Sequence, residues 1–308
     1  YADQHVRGAG PDPLTGATEG QQHLVETLLG QPVGRRDGTG RIGLELERVV
    51  AGQQRDLEGI GLDEVWTPVD GTTFHAGYAR YFTPQSQVLA APTNVAAFMN
   101  TTLQPEILLN SPVRSERSHY FDIGVDHKFT PNFSVGVDVY YKRARNLLDD
   151  GQFGPAVVLT GFNYDRAYNT GVELKALYTD EYLRAYVNFA WARQRATTVT
   201  SNQFLFEQDE YNYIANHYIY TDHAQVITAS AGANLRIFDK TRVGFDMIYG
   251  SGLRAGFANT AHLSPYTQVN LGATQEFTLP GFAKPTTLRF DVVNLFDHSY
   301  LIRDGSGI

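Results

Sequence analysis

From about residue 72 onward the chain alternates apolar and polar residues with period two, the signature of strands with two unlike faces. In Phe121–Phe129 one face carries Phe121, Ile123, Val125 and Phe129, the other Asp122, Gly124, Asp126 and Lys128. Thr130-Pro131-Asn132 is a turn signal. Beyond it Phe133, Val135, Val137, Val139 and Tyr141 oppose Ser134, Gly136, Asp138, Tyr140 and Lys142. The pattern recurs with Val172, Leu174, Ala176 and Tyr178, with Leu183, Ala185, Val187, Phe189 and Trp191, with Ile227–Leu235, with Val243–Tyr249, with Val269–Ala273 and with Leu288–Val292.

Connection lengths alternate as well. Turns near 130–132, 179–181, 238–240 and 278–285 are short, whereas 83–118, 144–167, 196–222 and 251–265 are long. The polar face carries charges of both signs in nearly every strand. A small soluble barrel fills its interior with apolar side chains. Here the apolar rows predict the outside, facing lipid, and the charges line the lumen. The fold expected is all-β: an antiparallel transmembrane β-barrel of about nine to eleven strands, with short periplasmic turns and long extracellular loops. Residues 62–308 carry it; 1–61 are rich in Gly and charge, lack sustained alternation and are left unassigned.

Composition narrows the class further. No stretch approaches the roughly 20 apolar residues of a membrane helix. Net charge is −8, which argues against a nucleic-acid partner. The sequence has no Cys, so thiolate metal sites, disulfides and thiol nucleophiles are absent. Aromatics gather at strand ends: Phe129, Phe133, Tyr178, Phe277 and Phe282 at one end, Tyr81, Phe82, Tyr141, Trp191 and Tyr249 at the other, as two interfacial girdles would. Arg80, Arg143 and Arg193 break the alternation on the apolar face where strands meet long loops. They are expected at the outer rim, against lipid and lipopolysaccharide headgroups; simple hydration at strand ends is the alternative.

No catalytic set stands out, and no enzyme, cofactor or metal site is assigned. Asp222-His223 with Gln225 reads as polar residues at a strand mouth rather than an acid–base pair. His217 and His223 share a loop with Glu207, Asp209, Glu210 and Asp222, a set with nitrogen and oxygen metal ligands, but acidic loops in water are commoner. The adjacent carboxylates of Leu147–Gly154 read as a loop cap. The segment 202–220 is dense in aromatics. Tyr211, Tyr213, His217, Tyr218 and Tyr220 are the candidates for a ligand-contacting surface, with self-packing of the loop as the other reading.

Several stretches resemble the C-terminal half of TonB-dependent receptors, over about residues 65–308. Asn294-Leu295-Phe296-Asp297 followed by Tyr300 resembles that family's penultimate-strand signature. Glu116–Asp126 resembles its Glu-Arg-Ser strand opening, and Val65–Pro84 a strand pair joined by a Pro-x-Asp-Gly turn. The resemblance implies an outer-membrane receptor that takes up a scarce nutrient, a siderophore or other iron chelate foremost, driven by a TonB-type energy-coupling protein. It also implies that these strands are part of a larger barrel, that the chain stops in the last extracellular loop, and that the closing strand, the plug domain and the coupling box lie outside it. A passive porin or small barrel, and a barrel enzyme, are the alternatives.

Overall fold

A computed structural model of the chain describes residues 60–85, 95–152, 159–281 and 284–301. They all fall within the unit Leu44–Ile308. The readings of residues 1–59, of Phe282 and of the segment 302–308 lie outside the described residues.

The strands are β1 (Ile60–Val69), β2 (Thr72–Thr83), β3 (Glu116–Thr130), β4 (Phe133–Gln152), β5 (Leu159–Thr179), β6 (Leu183–Val199), β7 (Ile219–Tyr220), β8 (Ile227–Phe238), β9 (Thr241–Gly250), β10 (Arg254–Ala255), β11 (Ala261–His262), β12 (Tyr266–Phe277) and β13 (Thr286–Val292). Among the described residues one α-helix, α1 (Gln208–Asn216), lies between β6 and β7. Neighbours pair antiparallel in the order β1-β2-β3-β4-β5-β6-β8-β9-β12-β13, and β7 joins beside β6 to make an 11-stranded sheet. This up-and-down order is a barrel wall, and the described strands do not close on themselves. Among the described residues no helix is long and apolar enough to cross a membrane; that says nothing of strands.

Register joins the apolar positions into rows across the sheet. Ala76 faces Ile123, Ile123 faces Val139, Val139 faces Val172 and Val172 faces Trp191. Among the described residues no second layer covers these rows: Val65, Ile123 and Phe290 are 66%, 61% and 68% exposed. Apolar rows on that scale need an apolar solvent, and the bilayer core supplies it. The opposite face holds the charges. His75 meets Asp138 at 2.6 Å, and Lys175 reaches Asp126 at 3.1 Å. A glycine sits where a large inward side chain must lie flat: a Cβ on Gly171 would come within 2.6 Å of the Tyr140 ring.

One girdle residue is reassigned. Tyr81 lies on the inward face, where it meets Tyr120 edge-on at 6.3 Å, and Tyr120 stacks on Tyr140 at 6.1 Å. Its position in β2 is one residue out of step with Tyr78 and Phe82, so proximity to a strand end misled. At the other end Phe129 stacks on Phe133 at 5.7 Å.

Strand lengths divide the molecule. Crossing a bilayer takes about 9–11 tilted residues, which β8, β9 and β12 match at 12, 10 and 12. β4, β5 and β6 run to 20, 21 and 17 residues. Most of the stretch 144–167, expected as loop, is therefore strand, and Asp149 and Asp150 lie inside β4 rather than capping a loop. The surplus projects beyond the membrane on the long-loop side. It is there, and not within the wall, that buried residues cluster: Ala144, Leu147, Phe162, Tyr164, Ala196, Phe206, Ile214 and Ile219 among them.

Candidate functional site

The extracellular end is built on the projecting β4–β5 hairpin and the end of β6. Asn163, fully buried, is its node. Its Oδ1 accepts from the Arg114 amide at 2.7 Å and from Ser201 Oγ at 2.9 Å, and its Nδ2 donates to the carbonyls of Arg114 and Asn146 at 2.8 and 2.9 Å. One side chain thus ties the β2–β3 connection, β4 and the β6–β8 connection together. A buried polar group with every valence filled specifies geometry as well as stability. Nothing in the sequence around Asn163 marks it.

The aromatic segment forms α1, whose first turn carries Asp209 and Glu210, where the helix dipole favours negative charge. Tyr211 and Tyr213 pack partly against the buried cluster. Tyr213 stacks on His217 at 4.1 Å and meets Phe257 at 5.4 Å. Tyr218 is exposed and lies 5.5 Å from Tyr168. Tyr220 sits between two guanidiniums, Arg195 at 4.5 Å and Arg254 at 3.7 Å from its ring. Burial raises the Tyr220 phenol, but the Arg195 hydrogen bond and the charges of Arg195, Arg254 and Arg193 outweigh it and hold the phenol below its usual value. His217 and Tyr218 therefore present surface, while Tyr211, Tyr213 and Tyr220 are half-buried and engaged within the platform. Glu210 accepts the Ala258 amide at 2.6 Å, which ties α1 to the β9–β12 connection. Burial holds its carboxyl above the ordinary value.

On the outward face the register gathers cations. Arg80 lies opposite His119, and His119 opposite Arg143. Two residues further out, Arg117 lies opposite Arg145, and Arg145 opposite Arg166. All six are exposed. Arg193, three strands from Arg80's neighbour β3, leans over Trp191 at 4.9 Å. Arg166 has Asp165 at 3.0 Å, and Arg117 lies 5.8 Å from the Phe82 ring. Sequence reading singled out Arg80 and Arg143, but Arg117, Arg145 and Arg166 emerge only once the strands are paired.

His223 does not join His217, which belongs to the Tyr213 stack. It meets two carboxylates instead. Its Nδ1 contacts Asp222 Oδ1 and lies 3.4 Å from Asp149 Oδ1, brought in from β4. Hydrogen bonds to Asp149 and Asp222 raise the His223 pKa to about 10. Burial raises that of Asp149.

The Asn294 signature forms a turn past the end of β13. Asn294 takes a left-handed backbone, φ 53°. Its Oδ1 accepts the His298 amide at 3.1 Å, and the Leu295 amide keeps contact with β12 through the Val269 carbonyl at 2.7 Å. Tyr300 stacks on Tyr266 at 4.3 Å and donates to Gln268 at 3.1 Å. Leu295 and Phe296 stay exposed. The motif is thus a strand-ending device: an Asn that accepts left-handed geometry, two exposed apolar residues, and a Tyr that docks the chain back on β12.

Residues 59–295 match the family model described as TonB dependent receptor-like, beta-barrel. A search of the curated proteins finds no match. Among solved structures, the FrpB iron transporter of Neisseria meningitidis (F3-3 variant) is 16% identical with a TM-score of 0.51, covering 79% of this chain and 35% of that one. The siderophore receptor PiuA of Acinetobacter baumannii is 15% identical with a TM-score of 0.53, covering 80% and 32%. The copper transporter OprC is 12% identical with a TM-score of 0.55, covering 80% and 35%. The chain spans about a third of the length of these structures, and such likeness carries the fold alone. Family model, sheet order and lipid-facing rows agree: the chain belongs to the TonB-dependent receptor β-barrels, proteins of the bacterial outer membrane.

Proposed function

We propose that the chain forms part of the barrel wall and extracellular platform of a receptor that takes up a scarce nutrient across the outer membrane, an iron chelate such as a siderophore, with energy from a TonB-type partner. The observation that carries this reading is the family match over 59–295 on a sheet whose greasy face is outside and whose charged face is inside. The printed names of the matched structures, an iron transporter and a siderophore receptor among them, support the ligand class. His217 and Tyr218 are exposed aromatic groups of the platform; Tyr213 stacks on His217, and Tyr168 lies beside Tyr218. Planar chelates stack on such rings.

The test is accumulation of defined ferric chelates by a strain that carries the gene as its only receptor of this kind. Accumulation is expected, and it stops when the energy-coupling protein is deleted while surface binding persists. Replacing His217 and Tyr218 with Ala is expected to weaken binding. Uptake that is indifferent to the coupling protein would make this a passive pore.

The cationic rows of the outer rim belong to the same reading. Like charges directly opposite on neighbouring strands repel, and Arg117, Arg145 and Arg166 form three in a row. Anionic headgroups of lipopolysaccharide would relieve that repulsion. Arg80, Arg143 and Arg193 extend the surface toward the membrane. Replacing Arg80, Arg143 and Arg193 with Gln, and separately Arg117, Arg145 and Arg166, is expected to lower the lipopolysaccharide that co-purifies; unchanged retention in both sets would refute it.

A further inference from the structure

We propose that Asp149, Asp222 and His223 form a binding site for a first-row divalent cation, with Zn2+ the best match, which staples the β6–β8 connection to the outer end of β4. One ligand atom from each of the three lies within 4.8 Å of the others. Around a tetrahedral ion with bonds of about 2.0–2.2 Å, ligand atoms stand roughly 3.3–3.6 Å apart, so side-chain rotation alone brings them into place. Asp149 Oδ1 is already oriented by the Asp150 amide at 3.0 Å.

A second observation is independent of this clustering. The Asp149 side chain is only 10% exposed, and its Oδ2 has no hydrogen-bond partner among the described residues. Tyr164 lies on β5 opposite Leu147, two residues before Asp149 on β4, and its buried Oη also lacks a partner among the described residues. So does Thr221 Oγ1, beside Asp222. Buried oxygens without a partner are destabilising, and their presence on and beside the ligand residues marks a place where a ligand or ordered water belongs.

The donor set selects the ion. Two carboxylates and an imidazole suit zinc and its neighbours. Calcium wants six to eight oxygens at longer range. Three protein ligands leave a fourth position for water, and the half-exposed imidazole (48%) gives the ion a way in. The inference does not rest on which nutrient is carried.

The experiment uses the full chain in detergent micelles. Co2+ serves as the visible probe and Zn2+ as its competitor. The expected result is one equivalent of Co2+ with the absorption of a tetrahedral site, displaced by Zn2+ and not by Ca2+. Asp149→Asn and His223→Gln each weaken binding at least tenfold, while Asp209→Asn on the exposed side of α1 leaves it unchanged. In the unaltered protein, Zn2+ also slows proteolysis within 200–226. Absence of a Co2+ equivalent, wild-type affinity in both ligand variants, or proteolysis indifferent to Zn2+ would each overturn the proposal.

Discussion

Val187 and Asn188 are adjacent on β6 and test the central claim in one pair of variants. Val187 is the fifth residue of a strand that begins at Leu183, which places it near the middle of a crossing of about 9–11 residues. It lies on the apolar row between Ala176 and Ala231 and is 51% exposed. Asn188 points inward and donates to Ser230 Oγ at 3.2 Å. Arginine at a lipid-facing midplane position costs about 2–4 kcal/mol, a shift of roughly 30- to 700-fold in the folding equilibrium. At 188 the new charge meets water, with Lys175 directly opposite, and that like-charge pair costs at most about 1 kcal/mol. Val187→Arg is therefore expected to destabilise the protein by at least about 1 kcal/mol more than Asn188→Arg. The assay is reversible urea unfolding of the full chain as its gene encodes it, in phospholipid vesicles. Equal costs, or a larger cost at 188, would mean the aliphatic rows do not meet lipid.

Three further expectations concern the extracellular end. Asn163→Leu strands the amide and carbonyl of Arg114, the Asn146 carbonyl and the Ser201 hydroxyl proton, for about 2–5 kcal/mol of local stability, read as faster proteolysis of the 95–115 and 200–226 connections with the wall intact. Gly252 has φ +89°, and a Cβ there would run into the Leu263 carbonyl; Gly252→Ala is expected to cost about 1–3 kcal/mol, seen as lost exchange protection at the Leu263 amide, which bonds the Leu253 carbonyl at 2.9 Å. Glu210, with its pKa raised by burial above 4.5, holds its proton in the folded state after the unfolded chain has released it, so the platform loses stability as pH rises from 4.5 through the folded value. Glu210→Gln keeps an acceptor for the Ala258 amide without that loss, and the ratio of wild-type to variant cleavage rates in 200–226 should climb as pH rises above 4.5; a flat ratio would refute it.

The wall was legible in the sequence because two solvents act on it. Lipid on one face and water on the other force a period of two, and a slip of one residue would turn Ile123 and Val139 inward and Asp122 and Asp138 into hydrocarbon. That constraint is written into every strand that crosses the membrane, so strand order and the outward rows follow from reading alternate residues. Tyr81 shows the rule's reach. Counted by parity it faces the lumen, as it does; grouped by closeness to a strand end it joins the wrong girdle.

Beyond the membrane the same strands lose that constraint, and the sequence goes quiet for a physical reason. Residues 160–164 are all buried, because both faces of the projecting hairpin are covered. With no wet side there is no alternation, and Thr160-Gly161-Phe162-Asn163-Tyr164 reads as a loop. What organises this region is pairing at long range: Asn163 with Arg114 and Ser201, Glu210 with Ala258, Asp149 with His223. Each partner is an ordinary polar residue in its own segment. The candidate metal ligands illustrate the point, since His217 and His223 look like a pair in the sequence, yet His217 stacks on Tyr213 of α1 while the reach of β4 delivers Asp149 to His223. The extracellular platform of this chain is thus assembled where periodicity fails, by strands that outrun the bilayer and carry their contacts into a small buried core that only register can specify.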